Sequence, residues 1–228
     1  MNYIYNALFL IIIFLSTGID HLSAQSTYLS FYDYNRSSIF LSENEANTEI
    51  LIEDFDIQYL DAAIFHLTNI ERFKLNLEGF KFYDNLYKSS ILHSEKMIEY
   101  EFFDHINKTE KRWRTPSDRI FHFDSSYIAL AENIVENNLL NYKGKSLTYR
   151  TKYNDDESLV YLDVNSQIIP YLTYYQLAER LLIQWMNSPP HRKNILNTSY
   201  NLLGCACAID ESKIPILIRC TQNFGRID

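Results

Sequence analysis

The sequence predicts an α+β domain in which helices cover a small antiparallel sheet. Three observations lead there. Residues 57–74, residues 84–101 and the run opening at Thr173 carry apolar side chains at helical spacing. Two apolar, β-prone runs, "LLGCACAID" and "IPILIRCTQNFG", lie together near the C-terminus. No internal repeat breaks this order of helices first and strands late. With 228 residues, 46% hydrophobic and rich in Tyr and Phe, the chain can bury one ordinary core with sequence to spare. The net charge of −8 argues against a nucleic-acid partner. The short "KTEKRWR" run (Lys108 to Arg114) reads as a solvated loop.

The chain begins "MNYIYNALFLIIIFLSTGIDHLSAQS". Ala7 to Leu15 is an unbroken apolar run, too short for a membrane span and suited to the core of a secretory signal. Ser23-Ala24 before Gln25 supplies a cleavage point, so residues 1–24 are expected to be a signal peptide. The absence of Lys or Arg near the start keeps an uncleaved anchor as the rival. No later run is long enough to span. The expected location is secreted, periplasmic or cell surface, with no stable membrane span once the signal is cleaved. Residues 25–56 read as an N-terminal extension or edge hairpin, with the acidic "SENEANTE" as a loop.

The helix over 57–74 uses Leu60, Ala63 or Ile64, Leu67 and Ile70. The next uses Leu86, Ser90, His93 and Met97. His66 and His93 fall inside these helices and read as helix histidines with local hydrogen bonds. A loop follows around Pro116, and "SDRIFHF" starts a short helical turn. Residues 139–172 stand out. "SLTYRTKY" and "ESLVYLDV" look like strands around "NDDE", which makes an inserted hairpin. Thr173-Tyr-Tyr-Gln176 then matches a capping box. The face Leu177, Leu181, Leu182, Trp185 continues that helix until Pro189 and Pro190 end it.

Three cysteines, Cys205, Cys207 and Cys220, lie on the last two strands. Cys205 and Cys207 share a strand face, and either can bridge to Cys220 on the neighbour. Three small buried residues is an equal reading, and a zinc site lacks a fourth ligand at sensible spacing. Asn35, Asn107 and Asn197 open formal glycosylation sequons.

Chemistry concentrates in "FFDHIN" with His105, "LAENIVE" with Glu132 and "WMNSPPHRKNIL" with His191. Each places an ionisable group beside or between apolar elements, where function often sits. Two imidazoles and a carboxylate can bind a divalent metal or do general acid–base work near neutral pH. Spacing alone does not bring them together. Taken singly, His105 is a helix cap, Glu132 a helix-start carboxylate and His191 a partner for a backbone carbonyl.

The whole pattern resembles the CAP superfamily, the cysteine-rich secretory, antigen 5 and pathogenesis-related 1 proteins, in its bacterial type. The matching residues are "NIERFK", "LHSEKM", "FFDH", "AENI", "WMNSPPHRKNIL", Gly204 and "TQNFG", over roughly residues 57–228 apart from the insertion. The resemblance implies a three-layer α–β–α sandwich and a cleft lined by two His and two acidic residues. It assigns His105, Glu132 and His191 to that cleft. The second acidic position falls on Ser188, so the tetrad is incomplete. Ala131 and Pro190 stand where glycine is usual.

Trp185 and Leu196 are expected to pack the core and the prolines to turn the chain. Arg192 and Asn194 are expected to hold that turn, and Gln222 to have a structural role, with a bond supporting a cleft histidine as the alternative. The first function expected is binding of an unknown ligand or extracellular partner in a cleft of His105, Glu132, His191 and Ser188. Zn²⁺ or another divalent ion on His105 and His191 is an optional cofactor. The alternatives are a hydrolase using Glu132, directed at protein or cell wall, and an interaction domain working through the insertion. Binding leads, because no Ser or Cys has a base partner.

Overall fold

A computed structural model describes residues 31–142, 148–154 and 158–227. The expected signal peptide lies outside the described residues. The compact unit described below begins at Tyr34.

Its first part is a series of short helical turns. Helix α1 (Ser37–Ser42) lies between 3-10 turns at Tyr34–Arg36, Glu45–Asn47 and Ile52–Asp54. The edge hairpin considered for this stretch is not what forms, and "SENEANTE" is partly helical.

Helix α2 (Ile57–Phe73) is capped by the Asp56 side chain, which accepts from Tyr59 N–H at 3.0 Å. Strand β1 (Lys81–Phe82) leads into α3 (Asp84–Glu99). Helix α4 (Pro116–Phe123) opens with a capping box between Thr115 and Asp118 and has proline in its first turn. Strand β2 (Tyr127–Asn138) follows. The insertion forms β3 (Arg150–Tyr153), β4 (Leu159–Leu162) and β5 (Ile168–Ile169), one strand more than the expected hairpin.

Helix α5 (Tyr174–Asn187) starts at the predicted Thr173–Gln176 box. The prolines do more than end it. Ser188 caps α5, and Pro189 begins a second helix, α6 (Pro189–Leu196). This suits proline, because a first-turn residue has no carbonyl partner for its missing N–H. Strands β6 (Leu202–Asp210) and β7 (Leu217–Ile227) complete the domain.

The main sheet has the order β1-β6-β7-β2. The long pairs are antiparallel, but β1 runs parallel to β6, so the sheet is mixed rather than wholly antiparallel. Strands β6 and β7 are buried along most of their length, as expected of strands covered on both faces. One cover is α3. Its Ser94 hydroxyl donates to the Ala206 carbonyl at 2.9 Å, and Ser90 to the Gly204 carbonyl at 3.0 Å. The other cover contains α2, whose Thr68 hydroxyl accepts from Gln222 at 2.8 Å and whose Asp61 accepts from Cys207 N–H at 2.8 Å. Helix α5 packs on α2 and reaches β2, where buried Trp185 donates its indole N–H to the Ile134 carbonyl at 2.9 Å. The arrangement is the expected α–β–α sandwich.

Cys207 and Cys220 sit opposite each other in the β6–β7 register and form a disulfide, while Cys205 is buried and free. His66 is also buried, and its Nδ1 lies 2.8 Å from the Ser37 hydroxyl, a partner 29 residues away rather than the local one expected. Leu196 is half-buried, and its neighbour Ile195 is the core residue. Asn107 is buried too, which closes one sequon to modification in the folded chain.

Candidate functional site

The site straddles β2, the edge strand of the main sheet. Glu132 lies mid-strand, opposite Asn223 of β7 and therefore on the α3 side. It does not start a helix. Its neighbour Asn133 faces the other way and reaches α6. The loop after α3 supplies His105, and the first turn of α6 supplies His191. The chain thus brings both imidazoles to the two flanks of one strand.

The Glu132 side chain is 2% exposed and heavily engaged. Its Oε1 accepts from His105 Nδ1 at 2.8 Å and from Arg119 Nη2 at 3.0 Å. Its Oε2 accepts from Arg119 Nη2 at 2.8 Å. With the Asn223 amide turned so that its oxygen faces Ser90, its nitrogen donates to Oε2 at 3.3 Å. Burial alone would raise the Glu132 carboxyl. The His105 bond, the charges of His93 and Arg119 and the Arg119 bond outweigh that and hold it below its ordinary value.

A carboxylate only accepts, so His105 Nδ1 is the protonated nitrogen, and Nε2 of the neutral ring carries the lone pair. His105 is therefore no helix cap. Its ring is oriented by Glu132 and its side chain is 41% exposed, so the site opens to solvent there.

Arg119 on α4 is fully buried. Besides Glu132, it donates to the carbonyls of Trp113 (2.9 Å), Arg114 (3.3 Å) and His105 (3.1 Å). One guanidinium thus balances the Glu132 charge and fastens the loop that bears His105.

The His191 and His105 ring centres are 6.5 Å apart. Partial burial, and then His105, hold the His191 imidazole below its ordinary value. Among the described residues no backbone carbonyl bonds the His191 ring. Instead its own carbonyl accepts from Asn133 Nδ2 at 3.2 Å. Arg192 donates to the Met186 carbonyl at 3.3 Å and so bridges the α5–α6 junction as expected, whereas Asn194 Nδ2 donates to Asn133 Oδ1 at 2.9 Å and ties α6 to β2 instead. Gln222 accepts from Asn133 at 3.3 Å and donates to Thr68 at 2.8 Å, and among the described residues no hydrogen bond joins it to either imidazole, which fits the structural role.

Ser188 sits at the junction itself, with no side-chain cap bond. Among the described residues no hydrogen bond joins its hydroxyl to His105, Glu132 or His191. Ala131 pairs with Phe224 in the sheet, and Pro190 lies in the first turn of α6; neither needs glycine's freedom where it stands.

These donors do not form a ready metal cage. Among the described residues no three His, Cys, Asp or Glu groups converge to hold an ion. Glu132 is already engaged by Arg119 and His105. A zinc ion lies about 2.0–2.1 Å from each imidazole nitrogen, so two rings sharing a tetrahedral ion have centres about 5 Å apart. The observed 6.5 Å requires one ring to move.

Sequence reasoning missed three members of the cluster: Arg119, Asn223 and His93, whose Nε2 lies 3.7 Å from Glu132 Oε1. An apolar groove of about 490 Å³ between α1, α2 and α5, lined by Leu41, Leu67, Ile70, Leu182 and Met186, contains none of the site residues. Among the described residues no helix is long and apolar enough to cross a membrane.

The model of the cysteine-rich secretory protein family, CAP, matches residues 65–224. An uncharacterized protein of Bacillus subtilis, YkwD, is 28% identical over 144 residues, 63% of this chain and 40% of the relative. The chain thus aligns with less than half the length of that protein. An outer surface protein of Borrelia burgdorferi superposes with a TM-score of 0.50 at 18% identity, over 76% of this chain and 97% of that one. An extracellular protein of Bacillus anthracis containing an SCP domain gives a TM-score of 0.47 at 24% identity, over 73% of this chain and 40% of that one. The family match runs from within α2 to within β7 and includes His105, Glu132 and His191, and the chain belongs to the cysteine-rich secretory protein (CAP) family.

Proposed function

We propose that this is an exported binding domain whose cleft engages a ligand through His105 Nε2 and His191. The observation that carries the reading is the state of Glu132. Both its oxygens accept from the buried Arg119 guanidinium, and Oε1 also accepts from His105, so it orients and does not attack. What faces outward is imidazole. Among the described residues no cysteine or Ser188 is paired with it as a nucleophile: Cys207 and Cys220 are joined, Cys205 is buried, and Ser188 has no bond to either ring. Export is supported by the apolar run at Ala7–Leu15 and by the description of the Borrelia relative as an outer surface protein. The compartment is secreted, periplasmic or cell surface.

A divalent ion enters this reading only as a bridge between His105 and His191 after one ring moves, with water or ligand completing its shell. Isothermal titration of metal-stripped protein with Zn²⁺ tests that arm. Uptake lost in His105→Ala/His191→Ala supports it, and no uptake by the wild type ends it.

A hydrolase is the second reading, favoured by the 2.8 Å carboxylate–imidazole pair. There His105 Nε2 would take a proton from water while Glu132 steadies the imidazolium, the role of the buried acid in a catalytic triad. An interaction domain is the third, supported by Tyr153, Val164 and Ile168, which the insertion exposes. Deleting the insertion and finding partner pull-down unchanged would remove it.

Incubation with peptides, peptidoglycan and esters separates the first two. Saturable binding without turnover, lost in the double His variant, is expected. Turnover abolished by Glu132→Gln would replace binding with catalysis.

A further inference from the structure

His93 has no part in the reading above, yet it sits against the centre of the site. It lies mid-α3 and is fully buried; among the described residues neither ring nitrogen makes a hydrogen bond of good geometry, although the Asp104 backbone stands as an acceptor beside the ring and competes with Glu132 for its proton. A neutral imidazole has one donor and one acceptor, and burying both unmet is costly. A Phe of similar shape would fill the space without that cost.

The groups around His93 come from several elements. Glu132 Oε1 faces it from β2 at 3.7 Å. Arg119 on α4, His105 and the Asp104 backbone also act on its charge, and the Phe102 ring lies 5.9 Å away. Glu132 Oε1 is also the atom that accepts from His105 Nδ1. A lone pair turned toward a carboxylate is repelled, so an attractive approach puts the proton on His93 Nε2. An advance of about 0.7 Å would bring that N–H within ordinary hydrogen-bond distance.

We propose that His93 is a positioning residue of the cleft: its Nε2–H and the His105 Nδ1–H share Glu132 Oε1, so His93 sets how firmly Glu132 holds His105. The use of this control rests on the binding-cleft reading, but its test needs no ligand. When His93 draws on the shared oxygen, the hold on His105 loosens and the exposed ring can turn toward a ligand. When His93 withdraws, His105 is pinned.

The experiment is ¹⁵N nuclear magnetic resonance of the ligand-free full chain. In the wild type the neutral His93 ring is expected to carry its proton on Nε2. A proton on Nδ1, directed away from Glu132, overturns the proposal.

The second readout is solvent exchange of the His105 Nδ1 proton. Removing the competitor with His93→Phe is expected to slow it about threefold or more, the factor that strengthening one net hydrogen bond brings. His93→Gln, whose amide can reach the place of Nε2–H, is expected to restore the wild-type rate. A folded Phe variant with the wild-type rate, or a Gln variant that behaves like Phe, also overturns it. If His93→Phe does not fold, the wild-type tautomer decides. Failure to find any ligand would end the binding reading and leave these outcomes standing.

Discussion

Glu132 and Arg119 neutralise each other inside the protein, so changing either alone is costly. Removing one partner of a buried pair strands the other charge and costs about 3–5 kcal/mol, while replacing both with neutral groups is far milder. Arg119→Met and Glu132→Gln are each expected to lower the urea midpoint strongly, and the double variant to recover much of the loss. Additive losses would show that the pair is not coupled.

His93 makes a second prediction at this scale. Burial, opposed by Glu132 and reinforced by Arg119 and His105, depresses its imidazole to about 4. The folded state then binds fewer protons than the unfolded one between about pH 4 and 6.5, so stability rises with pH across that window. On acidification the wild type is expected to lose up to about 3 kcal/mol between those limits. His93→Gln should flatten that part of the curve, and an unchanged slope would contradict the assignment.

At the residue scale the sequence exposed His105, Glu132 and His191 through the segments that carry them. It hid Arg119 and His93 because nothing in a helical period distinguishes a buried, paired charge from a solvated one.

Helices were the most legible elements, because period and caps agreed. The Thr173 box fixed the start of α5 to the residue. The prolines were read as a stop because they cannot continue α5. That the same property lets them begin α6, which turns His191 toward β2, needed the three-dimensional path. Strand β2 was not legible either. "IALAENIVENN" is rich in Asn and Glu, poor strand formers, and only its position on the sheet edge lets those side chains find partners.

Gly204 shows what the element packing demands. A Cβ there would lie 2.1 Å from Tyr87 N and 2.3 Å from the Leu86 carbonyl carbon, both backbone atoms of α3. Gly204→Ala is expected to cost about 3 kcal/mol or more by chemical denaturation, since the helix must lift off the sheet. At Gly79 the added Cβ meets side-chain atoms, the nearest being the tip of Phe73 at 2.9 Å, so Gly79→Ala is the milder control. Equal losses would mean that the close approach of α3 is not rigid.

The unit that begins at Tyr34 reads as a sandwich with an appended sheet. Helices covering a sheet were foreseeable, because amphipathic helices and late apolar strands have few other ways to bury their faces, while the three layers were implied by the family resemblance. The parallel β1 was not, being only two residues long. The insertion leaves and re-enters at one place: Asn141 N–H donates to the Pro170 carbonyl at 2.8 Å and Leu172 N–H to the Leu139 carbonyl at 2.9 Å. It also has its own cluster around Leu140, Tyr161 and Ile169. Replacing residues 142–169 with a short turn is expected to leave cooperative unfolding intact, with Tm lower by about 4 °C or less. Loss of cooperativity would show that the insertion belongs to the main core.

The fold matters to function because it delivers one imidazole in a fixed tautomer beside a second, with a buried carboxylate behind it. The most direct measurement is a long-range ¹H–¹⁵N spectrum of His105 in the wild type and in Glu132→Gln. A proton on Nδ1 in the wild type, with that preference lost or weakened in the variant, is the predicted result. A proton on Nε2 in the wild type, or a spectrum indifferent to Glu132→Gln, would contradict it.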